Sequence, residues 1–313
     1  MSFPIPSLVR PALLALATCL AAPALAQDQS LPTPVPTAEV PATVIDGDGP
    51  ALWKVADDDT TIYLFGTVHS LPSDVDWYRG ELVGALAASD ELVTEIDTTP
   101  ETLVALQQVV AEKALLKEGS LRELMNPEQR ATYEGAMQGV GLPVAAYDAY
   151  DPWFAALMLS NTALSQQGFS PDAGVEKTLE EIVGPGMARG ALETVEFQMS
   201  IFDELPMESQ IRFLIEGAEE IGSLAAQLQA MIDEWAVGDA DGLAALLNEA
   251  FEADPVLGDR LLYARNADWA VWIDDRLDEP GVVFMAVGAG HLAGDKSVQA
   301  LLAERGITTL RVQ

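Results

Sequence analysis

Two short segments near opposite ends of this chain share one pattern, and it limits the possible fold more than any other feature. Ile62-Tyr-Leu-Phe-Gly-Thr-Val-His69 and Val283-Phe-Met-Ala-Val-Gly-Ala-Gly-His291 are each a hydrophobic strand followed by Gly-x-x-His. Residues 281–287, leading into the second, are continuously apolar, the mark of a strand buried on both faces. Strands of this kind at both ends imply one sheet assembled from both ends of the chain. The chain holds two histidines, and both fall in this pattern. In open α/β sheets, ligands bind outside the carboxyl ends of strands, and glycine there permits close approach. The histidines are therefore expected to project into such a crevice. The competing reading is a pair of structural histidines satisfied by their neighbours.

The remaining periodicity supports the same arrangement. Residues 52–55 and 61–68 flank Asp57-Asp58-Asp59 as a β-hairpin, a helix is predicted over 79–88, and residues 91–96 form a third strand. Apolar residues then recur at helical spacing over 101–117, 126–139, 152–167, 173–182, 207–237 with a break near Gly222, 239–252 and 255–277. Residues 191–195 add one more short strand. Downstream of the second apolar strand, a helix over 298–305 and a strand over 307–312 suggest a βαβ unit with parallel pairing. The expected fold class is α/β in the α+β sense. It is a small mixed, partly parallel sheet from both chain ends, with a large helical insertion at about residues 100–277.

The first fifty residues are of a different kind. Arg10, an apolar stretch over 12–22 and Ala24-Leu25-Ala26 read as a secretory signal cleaved after Ala26. An uncleaved anchor is the competing reading, although the stretch is shorter than the ~20 residues that a span needs. Residues 27–50, with prolines at 32, 34, 36, 41 and 50, read as an extended linker, so the domain is expected over 51–313. The expected location is periplasmic or secreted. Cys19 is the one cysteine, and cleavage removes it, leaving no disulfide or thiolate chemistry.

Charge narrows the partners. There are 49 acidic against 16 basic residues, a formal net charge of −33, yet 49% of the chain is hydrophobic. That composition folds rather than remaining a disordered acidic tail. It argues against nucleic acid, whose phosphates need clustered cations, and against an anionic membrane surface.

Two imidazoles alone make a poor divalent metal site, so a carboxylate is expected beside them. Glu95 is the leading choice because it ends the apolar strand over 91–96; Asp97 is its local competitor, and a solvated acid is the plain alternative. Glu193, near the end of the possible late strand, is either a further site acid or a helix-start acid favoured by the macrodipole. Arg265-Asn266 lies in a helical segment with Trp269 and Trp272 nearby. An inward arginine would balance a carboxylate cluster or a substrate oxyanion; a surface ion pair is the alternative.

Taken together, Ala51-Leu-Trp-Lys-Val and Thr61 to His69-Ser-Leu-Pro resemble the opening of the TraB/GumN family, which includes the Tiki proteases. That family is distantly similar to erythromycin esterases and ChaN-like haem-binding proteins. Its further marks match Gly66/His69, Gly288/His291, Glu95, Leu192-Glu193-Thr194 with Gln198, and Arg265-Asn266. Gly174-Val-Glu176 resembles a family Gly-Val-Asp segment but carries glutamate, and no role is assigned to it. The resemblance implies a secreted or periplasmic metal-assisted hydrolase, with proteolysis known for the Tiki branch. His69, Glu95 and His291 would hold manganese, cobalt or zinc, and the catalytic set would be His69, Glu95, Glu193, Arg265 and His291. The substrate would be a peptide or a small molecule. Three other readings stand beside it: metal-free hydrolysis with His69 as general base, a haem- or metal-binding module without turnover, and an accessory role in envelope polysaccharide export.

Overall fold

The computed structural model describes residues 49–97, 100–251 and 255–313; the expected signal and most of the proline-rich segment lie outside them. The chain opens with β1 (Leu52–Ala56) and β2 (Thr60–Thr67), then α1 (Glu81–Ala88), β3 (Glu91–Thr94) and α2 (Pro100–Lys113). The helical insertion continues with α3 (Pro127–Gly139), α4 (Pro152–Gln166) and α5 (Val175–Val183). It is interrupted by β4 (Ala188–Ala191) and resumes with α6 (Val195–Asp203), α7 (Met207–Glu220), α8 (Leu224–Ala236) and α9 (Ala240–Phe251). The short α10 (Pro255–Gly258) runs through a π-helical segment, Asp259–Tyr263, into α11 (Ala264–Arg276). The chain closes with β5 (Gly281–Gly288), α12 (Val298–Glu304) and β6 (Leu310–Arg311).

Among the described residues these strands form one six-stranded sheet in the order β4-β3-β5-β2-β1-β6. β4, β3, β5 and β2 are mutually parallel, and β1 is antiparallel to both of its neighbours. The fold is thus the mixed α/β sheet expected, built from both chain ends. β2 and β5 alternate cleanly. Ile62, Leu64, Val283, Met285 and Val287 face Trp269, Ala270 and Ile273 of α11 and Val298 and Leu302 of α12. Phe65, Phe284 and Ala286 face the larger layer, which includes α1, α4, α7 and α8. With helices on both faces, the central strands can be apolar at nearly every position.

Two local expectations are corrected. β6 is not the parallel neighbour of β5, because β2 and β3 already occupy both of its edges. The last residues instead cover the outer edge of β1, with Val312 N–H donating to the Leu52 carbonyl at 2.8 Å. The late strand lies at Ala188–Ala191 rather than 191–195. Thr194 is the N-cap of α6, accepting from the Phe197 N–H at 3.2 Å, so Val195 begins a helix that periodicity alone missed. The region over 207–237 does break near Gly222, as two helices. No helix among the described residues is long and apolar enough to cross a membrane.

Gly66 sits where β2 passes the turn after β5. A Cβ there would lie 3.0 Å from Ala289 Cα, tighter than an ordinary contact and against backbone rather than a flexible side-chain end. Gly84, exposed in α1, has nothing within 4 Å of the same position. Denaturant titration is expected to show Gly66→Ala destabilised by about 1–3 kcal/mol. The same measurement should show Gly84→Ala stabilised by about 0.5–1 kcal/mol, the helix cost of glycine.

Candidate functional site

Parallel strands end on the same edge of a sheet, and here four of them end on functional side chains. In spatial order β4, β3, β5, β2, the residues just beyond the strands are Glu193, Glu95, His291 and His69. The ladder between β3 and β4 continues one step past the strands: Glu193 N–H donates to the Glu95 carbonyl at 2.8 Å, setting the two acids side by side. β2 and β5 pair Gly66 with Val287 and Thr67 with Gly288, so the two Gly-x-x-His turns are staggered by one residue. A Cβ on Gly288 would stand 3.1 Å from Glu95 Oε1, 3.5 Å from His291 Cδ2 and 3.9 Å from His69 Nε2. That glycine is what lets the three groups gather.

Arg265 binds this cluster together from above. It is 3% exposed, and all five of its N–H groups are engaged. Nε donates to Glu193 Oε1 at 2.8 Å, and Nη2 to Glu193 Oε2 at 2.8 Å and Glu95 Oε2 at 2.6 Å. Nη1 donates to the Leu261 carbonyl at 2.8 Å and lies 3.1 Å from His291 Nε2. The preceding π-helical turn, Asp259–Tyr263, shifts the phase of the helix just before Arg265. Arg265 and Asn266, adjacent in sequence, are both buried against the sheet edge. One turn on, Trp269 Nε1 donates to Glu193 Oε1 at 3.0 Å, while its ring lies 4.2 Å from the imidazole of His291. Gln198 on α6 donates to both Glu95 Oε2 and Glu193 Oε2 at 3.0 Å.

These contacts fix the protonation of His291. Asn266 Nδ2 donates to the Lys296 carbonyl at 2.8 Å, which turns Asn266 Oδ1 toward the imidazole. Nδ1 of His291, 2.5 Å from that oxygen, must carry the proton, and Nε2 accepts from Arg265. Burial and the adjacent guanidinium both push the His291 pKa well below its usual 6.5. Burial would raise the Glu95 carboxyl, but Arg265, the two imidazoles and the Gly288 N–H together hold it well below the usual carboxylate range. Burial opposes charge on Arg265 as well, and the Glu95 and Glu193 carboxylates overcome it, raising its pKa.

His69 has a separate partner that the sequence reading passed over. Its Nδ1 lies 2.5 Å from Glu176 Oε1, which also accepts from Thr67 Oγ1 at 2.5 Å. Glu176 lies in the first turn of α5, whose first residue Val175 donates its N–H to the Val68 carbonyl at 3.0 Å. Gly174 is required there, since any side chain would run into the carbonyl of His69. The Gly-Val-Glu segment was the available signal, set aside because it bears glutamate where the resemblance expects aspartate. Asp97 accepts from Thr102 Oγ1 at 3.3 Å and lines a hollow on the far side of Glu193.

The expected metal ligands His69, Glu95 and His291 do converge around Gly288, but in this arrangement they do not suit a cation. His291 Nε2 faces a guanidinium N–H, its Nδ1 is held by Asn266, and both oxygens of Glu95 already accept hydrogen bonds. Among the described residues, no group of three or more His, Cys, Asp or Glu side chains is set to hold a metal ion.

Two histidines and two carboxylates at the carboxyl ends of four parallel strands, with one buried arginine holding Glu95, Glu193 and His291, define an α/β protein with a Gly-x-x-His site. A model of the TraB/PrgY/gumN family matches residues 51–311, and the chain belongs to that family. No curated protein and no solved structure matches it.

The buried charges set a direction for stability against pH. Both Glu95 and His291 have depressed pKa values in the folded state, so the unfolded chain binds more protons than the folded one as pH falls. His291 begins to draw stability down below 6.5, its ordinary value, and Glu95 adds to this below the ordinary carboxylate range. Urea unfolding between pH 7.5 and 5 is expected to show falling stability, with one histidine giving at most about 1.4 kcal/mol per pH unit. His291→Gln should flatten that slope; an unchanged slope would mean that His291 protonates in the folded protein.

Proposed function

We propose that this chain, exported by its first 26 residues, hydrolyses an acyl bond, ester or amide, with His69 as the general base. The observation that carries the proposal is the clamp of His69 Nδ1 on Glu176, which leaves Nε2 toward Gly288 and Glu95. An imidazole held in that tautomer by a carboxylate takes a proton at Nε2 and has its resulting charge stabilised at Nδ1. Water attacks the carbonyl carbon, its proton passes to Nε2, and the same nitrogen returns it to the leaving oxygen or nitrogen. The surroundings favour the transient imidazolium, because Glu95, Glu193 and Glu176 outnumber the single guanidinium.

Arg265 has no N–H left to offer an oxyanion, so it acts here as a positioning residue. It holds Glu95, Glu193 and the lone pair of His291 in place. His291, neutral and doubly hydrogen-bonded, belongs to the scaffold of the site rather than to proton transfer. A divalent ion, manganese, cobalt or zinc, is the alternative source of activated water. It would require Arg265 to give up His291.

His69→Ala is expected to lower kcat/KM on a responsive ester or amide by about 10²–10⁴-fold, the usual worth of a general base. Glu176→Gln should lower kcat by a smaller factor with little change in KM. Retained turnover in His69→Ala would overturn the proposal. Activity that disappears on chelation and returns with manganese, cobalt or zinc would replace the metal-free account with the metal-assisted one.

A further inference from the structure

Beside the charged cluster, the site opens into a narrow cleft with about 50 Å³ of interior space, its mouth open to solvent. One side is the polar edge just described. The other is a wall of Leu228, Met231 and Trp235 from α8, Leu243 and Leu247 from α9, and Leu262 from the π-helical segment. Residues 228, 231 and 235 are spaced three and four apart, as are 243 and 247, so each helix turns one apolar stripe toward the cleft. Trp235 brings no polar atom to that wall, because its Nε1 donates to the Gly66 carbonyl at 2.8 Å. The plain reading of such stripes is core packing, and most of these residues are indeed buried. Here, however, the stripes border the cavity that holds His69.

Charge excludes one class of ligand. Among the described residues lining the cleft, Arg265 is the sole Lys or Arg, and its five N–H groups are engaged by protein acceptors. A substrate carboxylate or phosphate would find no counter-charge there and would face Glu95 at close range. From this wall and this charge balance we infer that the substrate is uncharged near the scissile carbonyl and carries an apolar chain or side chain. That group lies along α8 and α9. The inference rests on the hydrolase reading for the word substrate, but the recognition it describes can be measured by binding alone.

The test is calorimetric titration of the full chain with straight-chain amides from hexanamide to decanamide, and with decanoate as the charged counterpart. Affinity is expected to rise about three- to fourfold per added methylene, the ~0.8 kcal/mol of a buried CH₂ group. Decanoate should bind at least about tenfold more weakly than decanamide, for want of a cation to receive it. Met231→Lys, at a partly exposed wall position, should narrow or reverse that preference, and Leu247→Phe should favour the shorter chains. Thermal melts of both variants establish that they fold. Absence of amide binding, no dependence on chain length, or equal binding of decanoate would overturn the inference. If the amides bind as expected but neither they nor matched esters are hydrolysed, the hydrolase reading fails and the recognition stands. If esters are hydrolysed by His69 without chain preference, the reverse holds.

Discussion

The structure around the site depends on one side chain, the guanidinium of Arg265. Five donors in a rigid planar fork meet two carboxylates, an imidazole nitrogen and a backbone carbonyl, so every donor is satisfied and both buried carboxylates share one counter-charge. Burying an ion pair rarely adds much net stability, because desolvation offsets the attraction, while removing one partner typically costs about 3–5 kcal/mol. The network is therefore better understood as a device for specificity. It forces α11, β3, β4 and the turn after β5 into one relative placement, since any slip would strand a charge in an apolar interior. The depressed pKa values of Glu95 and His291 follow from the same geometry.

Around that fixed point the fold separates two tasks. The parallel strands bring Glu193, Glu95, His291 and His69 to one edge in order, and the close approach at Gly288 compresses them. His69 is tied to Glu176, which also accepts from the Thr67 hydroxyl. One imidazole is thus locked neutral within the buried network, while the other meets Glu176 at the cleft. Two residues of the same type in twin motifs have been given unlike environments, and unlike environments are how a site assigns unlike roles. The apolar stripes of α8 and α9 complete the cleft from the helical side.

Much of this was legible in the sequence, for identifiable reasons. A chain with two histidines in twin Gly-x-x-His motifs announces where its site lies, and the apolar runs before them announce buried parallel strands. Glu95, Glu193 and Arg265 could be named because each sits at a strand end or beside aromatic residues in a helix. Other features were not legible, because they depend on which edges and partners are already taken. β6 pairs with β1 because both edges of β5 are occupied, which no local pattern records. α6 was missed because Ala-Leu-Glu-Thr-Val reads equally well as a strand until Thr194 is seen to cap a helix. Glu176 was set aside on residue type, although its carboxylate reaches the imidazole of His69. That every donor of Arg265 would be engaged, and so would compete with a metal for His291, is a property of three-dimensional geometry alone.

The central claim is the unequal state of the two histidines, and their scarcity makes it directly measurable. Imidazole ¹⁵N chemical shifts of the uniformly labelled protein, followed between pH 8 and 5, contain signals from His69 and His291 only, and His69→Gln assigns them. The account predicts that His291 remains neutral with its proton on Nδ1 throughout the folded range. A His291 that titrates near 6.5, or that carries its proton on Nε2, would contradict the Arg265 network and the roles assigned from it.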